Sequence, residues 1–410
     1  MEKTNKVFNL IEEEAKRQFE GLELIASENY VSEDVLKAMG SILTNKYSEG
    51  YAGKRYYGGN KYIDEIELLA IERAKELFGA EHVNVQPYSG SPANLAVDMA
   101  FLTPGSKMIG MSLDSGGHLT HGFKVSSSGI FFDSASYGVD SEGYIDYDEV
   151  RRVAKEHQPQ LIWSGFSAYS RIIDWNEFRK IADEVNAILV ADIAHVAGLV
   201  AKGVYPSPVG IADVVTTTTH KTLRGPRGAM IMCKDKYSEV IDKAVFPGLQ
   251  GGPHNHITAG IAVALEEALD DSFKKYAEQV VLNAKTLSNE LTKKGYKIVS
   301  GGTDNHLFLI DAVGSVGITG KEASDALESA NITLNKNAIP NDARKPWDPS
   351  GVRIGTPAIT TRGMKENEMI KIASFIDLVL KNPTNLEIIN KVREDVKIFT
   401  KDFAIPGIKI

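Results

Sequence analysis

The sequence predicts an α/β protein: a large domain on a mostly parallel sheet, then a smaller α+β domain. Three observations predict it. Between about residues 80 and 235, short apolar runs suited to buried strands alternate with helix-period segments. A further set of strands and helices follows a long helical stretch that begins near residue 257. At 410 residues, the chain exceeds the size at which a single core usually stops growing, so two domains are the default.

The elements follow in order. Residues 9–20 have the spacing of a helix, with Leu10, Ile11, Ala15 and Phe19 apolar among glutamates. Residues 21–60 carry clustered glycines and tyrosines, which suits an ordered, non-repetitive segment at a functional surface or an interface. Helix spacing returns over 61–78. Strands are expected at 82–86, 107–111, 161–164, 187–191, 214–217 and 228–232, and helices at 91–100 and 175–185. A glycine/proline loop occupies 245–256. A long helix runs over 257–294 with a break near Asp270 and Asp271. Strands at 297–300, 306–310 and 351–355 and helices at 321–330 and 366–380 complete the smaller domain. The expected domains are an N-terminal arm and interface segment (1–60), a large domain (61–270) and a small one (271–410).

The composition narrows the function classes. Apolar residues make up 43 % and charged residues 24 %, which is ordinary for a globular chain, and the formal net charge of −8 argues against a nucleic-acid or anionic-membrane partner. No apolar run is long enough to span a bilayer and the N-terminus lacks a signal-peptide pattern, so a cytoplasmic protein is expected. The one cysteine, Cys233, excludes an intramolecular disulfide and a thiolate metal cluster, and reads as buried strand filler.

The chemistry-bearing residues fall where the expected strands end, which is where open α/β sheets place ligands. Lys221 follows Thr216, Thr217, Thr218, Thr219 and His220 and precedes Arg224 and Arg227. It reads as an amine held ready for a carbonyl, with nearby arginines favouring its neutral form and hydroxyls able to bind phosphate or position the amine. Asp192 ends another apolar run, with His195 three residues on. It suits the protonated ring nitrogen of a cofactor, a helix N-cap is the plain alternative, and a metal site lacks a third ligand at related spacing. Ser89, Gly90 and Ser91 turn the chain into a helix start that suits a phosphate. His118, in a glycine-flanked loop with His121, can stack on a flat ring; two polar loop histidines are the alternative. Arg353, inside an apolar strand, needs a carboxylate, either a substrate's or a structural one. Together these suit pyridoxal phosphate. No GxxxxGK[ST] or GxGxxG motif supports a nucleotide.

These segments resemble the serine hydroxymethyltransferase family in its shorter bacterial form, over nearly the whole chain. The resemblance is carried by Leu24-Ile25-Ala26-Ser27-Glu28-Asn29, Leu43-Thr44-Asn45-Lys46-Tyr47-Ser48-Glu49-Gly50, Lys54-Arg55-Tyr56-Tyr57-Gly58-Gly59, and residues 116–122, 216–228, 248–253, 300–306 and 355–363. It implies a fold-type I pyridoxal-phosphate enzyme with a seven-stranded sheet in its large domain and a homodimer with shared active sites. It also implies transfer of the serine hydroxymethyl carbon to tetrahydrofolate, leaving glycine, with no metal. By the resemblance, Lys221 would hold the cofactor aldehyde, His118 would stack on the ring and Asp192 would pair with its nitrogen. Ser89, Gly90, Ser91 and His220, with Gly251 and Gly252 of the other subunit, would hold the phosphate. His195 and Ser167 would contact the ring hydroxyl. Ser27 and Arg353 would bind the amino-acid carboxylate. Tyr47, Glu49 and Tyr57 would come from the neighbouring subunit, with Glu49 transferring the proton. Thr218 joins the catalytic set, and Leu113, Gly117, Leu119 and Asn337 would contact the folate.

Two positions depart from the family pattern. Asp114 and Ser115 stand where relatives carry a Ser-His pair, and Ser170 stands where proline is usual. Both bear on loop stiffness and folate affinity. The rival readings are a folate-independent aldolase using the same cofactor and a catalytically dead structural or RNA-binding protein.

Overall fold

A computed structural model describes residues 5–408. The chain divides into two units: residues 31–278, and the residues up to Tyr30 joined to those from Gln279 onward. The segment 1–60 is therefore shared between units, and the second boundary lies within the helix Asp271–Lys293.

The first unit carries the seven-stranded sheet. Its strands are β1 (His82–Asn84), β2 (Lys107–Met111), β3 (Asp133–Tyr137), β4 (Leu161–Gly165), β5 (Ile188–Asp192), β6 (Val214–Thr218) and β7 (Ala229–Cys233). Their spatial order is β1-β7-β6-β5-β4-β2-β3. The run β6-β5-β4-β2-β3 is parallel, and β7 is antiparallel to both neighbours. Strands β4, β6 and β7 are buried along their whole length, as uninterrupted apolar or hydroxyl-bearing runs in a covered sheet require. Cys233 is buried in β7 and its thiol is pushed up to about 12 by that burial, so it is inert packing.

The topology locates the ligand side of the sheet. The chain leaves β2 for the edge strand β3 and returns to the other side of β2 to form β4. This reversal is a switch point, the place where open α/β sheets hold their ligands beyond the strand ends. The loops after β2 and β4 are tied together: Ser167 N and Ala168 N donate to the Gly116 carbonyl at 2.7 and 3.0 Å.

The second unit has an antiparallel sheet of β8 (Lys297–Ile298), β9 (Leu307–Asp311), β10 (Asn335–Asn337) and β11 (Gly351–Gly355), ordered β8-β9-β11-β10. Its N-terminal part joins by a short parallel ladder of Leu22–Glu23 on Ile332–Thr333. Arg362 secures that join. Only 4 % exposed, it donates to the carbonyls of Gln18, Phe19, Gly21, Thr400 and Phe403.

The expected break in the long helix is real. Asn255–Leu269 and Asp271–Lys293 are separated at Asp270, whose extended backbone and carboxylate cap the second helix through Ser272 N at 2.8 Å. Helices Lys61–Phe78 and Glu366–Leu380 have the expected bounds. The elements that were not expected include β3, β10 and the helices Glu33–Met39, Tyr147–His157 and Leu386–Thr400. Among the described residues, no helix is long and apolar enough to cross a membrane.

Candidate active site

Asp192 ends β5 and is buried on all sides. Its Oδ2 accepts from Asn94 Nδ2 (2.9 Å) and lies 3.2 Å from His121 Nε2, while Oδ1 accepts from Ala194 N at 2.9 Å. Burial pushes its pKa up, but the His121 bond and the electrostatics of the basic groups around it, His121 foremost, outweigh burial and hold the carboxyl well below its usual range. It is therefore a buried anion with a fixed orientation. This goes beyond a helix N-cap, since Val196 caps the short helix Ala197–Ala201.

Asn94 organises the group. It lies four residues after Gly90, on the same face of the helix Gly90–Phe101. Its amide donates both to Asp192 and to Thr120 Oγ1 (2.8 Å), and Thr120 Oγ1 is 2.7 Å from His118 Nδ1. Thr120 N also donates to that nitrogen at 3.3 Å. His118 Nδ1 is therefore an acceptor and the ring is neutral, in line with a pKa lowered to about 4, first by burial and then by His121. His121 stacks on Trp163 with centroids 5.1 Å apart and planes within 10°. His118, His121 and Asp192 present ligand-type atoms within 4.8 Å of one another. Hydrogen bonds already join them into a relay.

The phosphate-type donors converge beside it. Ser89 is the N-cap of Gly90–Phe101 but spends no side-chain bond on capping, so the helix start keeps its first amides for a ligand. A methyl at Gly90 would stand 2.8 Å from Thr218 Cγ2, so glycine lets the helix start meet the end of β6. The threonine run divides its work. Thr217 Oγ1 and Thr219 Oγ1 are spent on the carbonyls of Thr218 and Pro226, whereas Thr216 Oγ1 and Thr218 Oγ1 are buried without a protein partner. His220 Nδ1 is likewise unpartnered, and burial, followed by Lys221 and Arg227, lowers that ring to about 3. Lys221 itself is 8 % exposed at the end of the run. Arg224 takes a different place from the one expected: its guanidinium lies over the rings of Phe273 and Tyr276, at 5.3 and 4.8 Å. His195 is buried, with its ring stacked on Phe166 at 6.3 Å, and its carbonyl accepts from Thr222 Oγ1.

A second cluster of candidate residues centres on the loop 46–50. A methyl at Gly252 would meet the Tyr47 ring at 3.1 Å, and one at Gly251 would meet Glu49 Oε1 at 3.3 Å. Tyr88, next to Ser89, donates its hydroxyl to Gly252 O at 2.8 Å and stacks on His254. Tyr47 and Tyr57 meet edge to face with centroids 5.4 Å apart and are 56 % and 49 % exposed. Beneath them Arg55 is buried. It pairs with Asp64 (2.8 Å) and Glu67 (3.0 Å) and donates to the carbonyls of Ser48 and Gly50, on either side of Glu49.

In the second unit Arg353 lies in β11, 9 % exposed, with Nε donating to Asn335 Oδ1 at 3.0 Å across the ladder to β10. Burial lowers its pKa to about 10, so it stays cationic at neutral pH and suits an anion. Ser27 is half-buried, next to Ala26, which packs directly on Gly355 at the end of β11. Asn337 ends β10, its amide donating to Ala338 O. In the first unit, Leu113 lies in a short turn with exposed Asp114, Leu119 is exposed and Gly117 is buried between them.

Sequence reasoning passed over Asn94 and used only one of the two loop histidines. The signal for Asn94 was present: Asn94 and Asp98 are polar at helix spacing in an otherwise apolar helix, and both are buried.

The residues fit a phosphorylated, aldehyde-bearing aromatic cofactor. A fixed carboxylate suits a protonated ring nitrogen, a neutral imidazole suits a ring face, and unpartnered hydroxyls beside a helix start suit a phosphate. The comparisons agree. The family model described as "Serine hydroxymethyltransferase" matches residues 1–376. A protein of Desulfotalea psychrophila named serine hydroxymethyltransferase is 58 % identical over 403 residues, 98 % of this chain and 95 % of the relative. One of Acidothermus cellulolyticus with the same name is 56 % identical over 409 residues, 98 % of this chain and 96 % of the relative.

Proposed function

The chain belongs to the serine hydroxymethyltransferase family and transfers the hydroxymethyl carbon of serine reversibly to tetrahydrofolate, giving glycine and 5,10-methylenetetrahydrofolate; from that premise we propose which of its residues do the work. Pyridoxal phosphate, when bound, supplies an electron sink for the bond that breaks at the amino-acid α-carbon. Lys221 would hold the cofactor aldehyde at the end of β6. Asp192 would bond the ring nitrogen and keep it protonated, and His118 would cover the ring face as a neutral imidazole. Ser89, Gly90, Ser91, Thr218 and His220 would bind the phosphate. His195 and Ser167 would contact the ring hydroxyl. Arg353 and Ser27 would grip the amino-acid carboxylate. Leu113, Gly117, Leu119 and Asn337 would contact the folate.

Tyr47, Glu49 and Tyr57 would act in the site of a second copy, as would Gly251 and Gly252, in a homodimer in the cytoplasm. The exposure of Tyr47 and Tyr57 supports this, because two large aromatic rings resting on a buried polar anchor suit a surface that another subunit covers. Glu49 would move the proton between the serine hydroxyl and the folate.

One observation carries the assignment: the buried anion of Asp192, oriented by three donors beside Lys221 and His118. The test of the proton-transfer role is Glu49→Gln. The variant should bind cofactor with the wild-type absorbance and lose most of its folate-dependent turnover. Unchanged serine–folate turnover refutes that role for Glu49.

A further inference from the structure

We infer that Asn255 is a positioning residue for the reaction, acting through the loop that carries Tyr47 and Glu49; the inference rests on the reading above that these two side chains take part. Asn255 opens the helix Asn255–Leu269 and is 4 % exposed. Its amide makes two bonds, both 2.6 Å long: Nδ2 donates to the carbonyl of Lys46, and Oδ1 accepts from the hydroxyl of Ser48, which is wholly buried. The orientation is dictated by chemistry. A carbonyl only accepts, so the amine end must face Lys46, which leaves the oxygen for the Ser48 hydroxyl. One side chain thus brackets Tyr47 on both sides.

A buried amide costs free energy unless both ends are satisfied. Here both ends are used on a loop whose intervening side chain is half in solvent. Nothing in the packing of Tyr47 itself requires this. The ring is 56 % exposed, and its neighbours are Tyr57 and Gly252. An ordinary exposed tyrosine needs no such bracket. A phenol that must meet a reacting group does, because a displacement of about 1 Å can cost on the order of 100-fold in rate. Arg55 treats Glu49 alike, donating to the carbonyls of Ser48 and Gly50. Gln86 adds a bond to Gly50 O and reaches Glu67. The loop is therefore held at Lys46, Ser48 and Gly50, and the two side chains between these points are the ones read as reactive. The helix Asn255–Leu269 begins three residues after Gly252, which lies against the Tyr47 ring, so the loop 46–50 meets this segment at both places.

The test uses the full-length holoenzyme and the variants Asn255→Ala and Asn255→Asp. The aspartate keeps the side-chain size and the bond from Ser48 but sets an oxygen against Lys46 O, so it separates lost positioning from lost packing. Two readouts are needed: hydrogen exchange of the 46–50 segment, and steady-state kinetics in the wild-type and Glu49→Gln backgrounds. The inference expects faster exchange of 46–50 in both variants, unchanged cofactor absorbance, and kcat lowered about 10–100-fold with little change in the KM for serine. It also expects little further loss when Asn255→Ala is added to Glu49→Gln. Unchanged exchange overturns the bracket. Faster exchange with unchanged kcat, or a full additional loss in the Glu49→Gln background, overturns the positioning role. If Glu49→Gln alone leaves turnover intact, the role given to Glu49 fails, and the exchange data with the kinetics of Asn255→Ala and Asn255→Asp still decide the inference.

Discussion

Replacing Asp192 by Asn removes one charge and almost no volume. In the folded protein the cost is partly recoverable. The Ala194 N bond persists on the amide oxygen, and the Oδ1 of Asn94, buried and unpartnered, can turn to accept from the new amide at the expense of its bond to Thr120. The His121 contact becomes donor to donor unless that ring changes tautomer. Against this, an amide is cheaper to bury than a carboxylate. A stability loss of about 1–2 kcal/mol is therefore expected, well short of unfolding. Catalysis has no such relief. A carboxylate in hydrogen-bond contact with a protonated ring nitrogen gains about 5 kcal/mol by Coulomb attraction at an effective dielectric near 20. An amide keeps about a third of that as an ordinary hydrogen bond. The difference of about 3–4 kcal/mol corresponds to roughly 100- to 1,000-fold in rate. The assay is folate-dependent serine turnover at saturating cofactor, with a urea denaturation curve on the same preparation. A kcat within threefold of wild type in folded Asp192→Asn would refute the reasoning.

Further outcomes follow from the same geometry. Gly90→Ala sets a methyl 2.8 Å from Thr218 Cγ2 and so parts the helix start from the end of β6; cofactor affinity, titrated by absorbance, should fall about tenfold, and an unchanged affinity would contradict the phosphate cradle. Arg362→Met strips a buried donor from five carbonyls and should cost about 3–5 kcal/mol in a urea denaturation curve, with faster hydrogen exchange at residues 18–21 and 400–403. Acid should weaken the cofactor-free protein through His118. Its folded pKa, lowered from 6.5 to about 4 by burial and then His121, contributes stability that is present above pH 6.5 and is lost as pH falls through about 4. Between about pH 7 and 4.5 this amounts to about 2–3 kcal/mol, and His118→Gln should flatten that part of the profile.

The parts legible in the sequence were those whose cause is local. Apolar runs such as Leu161–Gly165 and Ala229–Cys233 had to be buried strands, and the catalytic candidates could be read at their ends. Helix spacing over Lys61–Phe78 and Glu366–Leu380 is equally local. β3 escaped because Asp-Ser-Ala-Ser-Tyr at a sheet edge shows no apolar run. Tyr147–His157 is dominated by charged surface positions, whereas Leu386–Thr400 carries Ile389, Val392 and Val396 at helix spacing, a local signal that was present and passed over. In the site, residue types were readable and pairings were not. Asn94 meets Asp192 across 98 positions and His121 meets it across 71. Which threonine hydroxyls stay open depends on the fold around Pro226, and Arg224 turns away to two rings supplied by Phe273 and Tyr276. Asn255 carries no motif of its own; only the packing of its helix on the loop 46–50 reveals it.

The central claim is that Lys221 is the residue that carries the cofactor aldehyde. Borohydride reduction of the purified holoenzyme, followed by proteolysis and mass mapping, tests it most directly. The account predicts the reduced cofactor mass on the peptide containing Lys221 and nowhere else, with loss of that adduct in Lys221→Ala. A stoichiometric adduct on another lysine, or an undiminished one in Lys221→Ala, would contradict it.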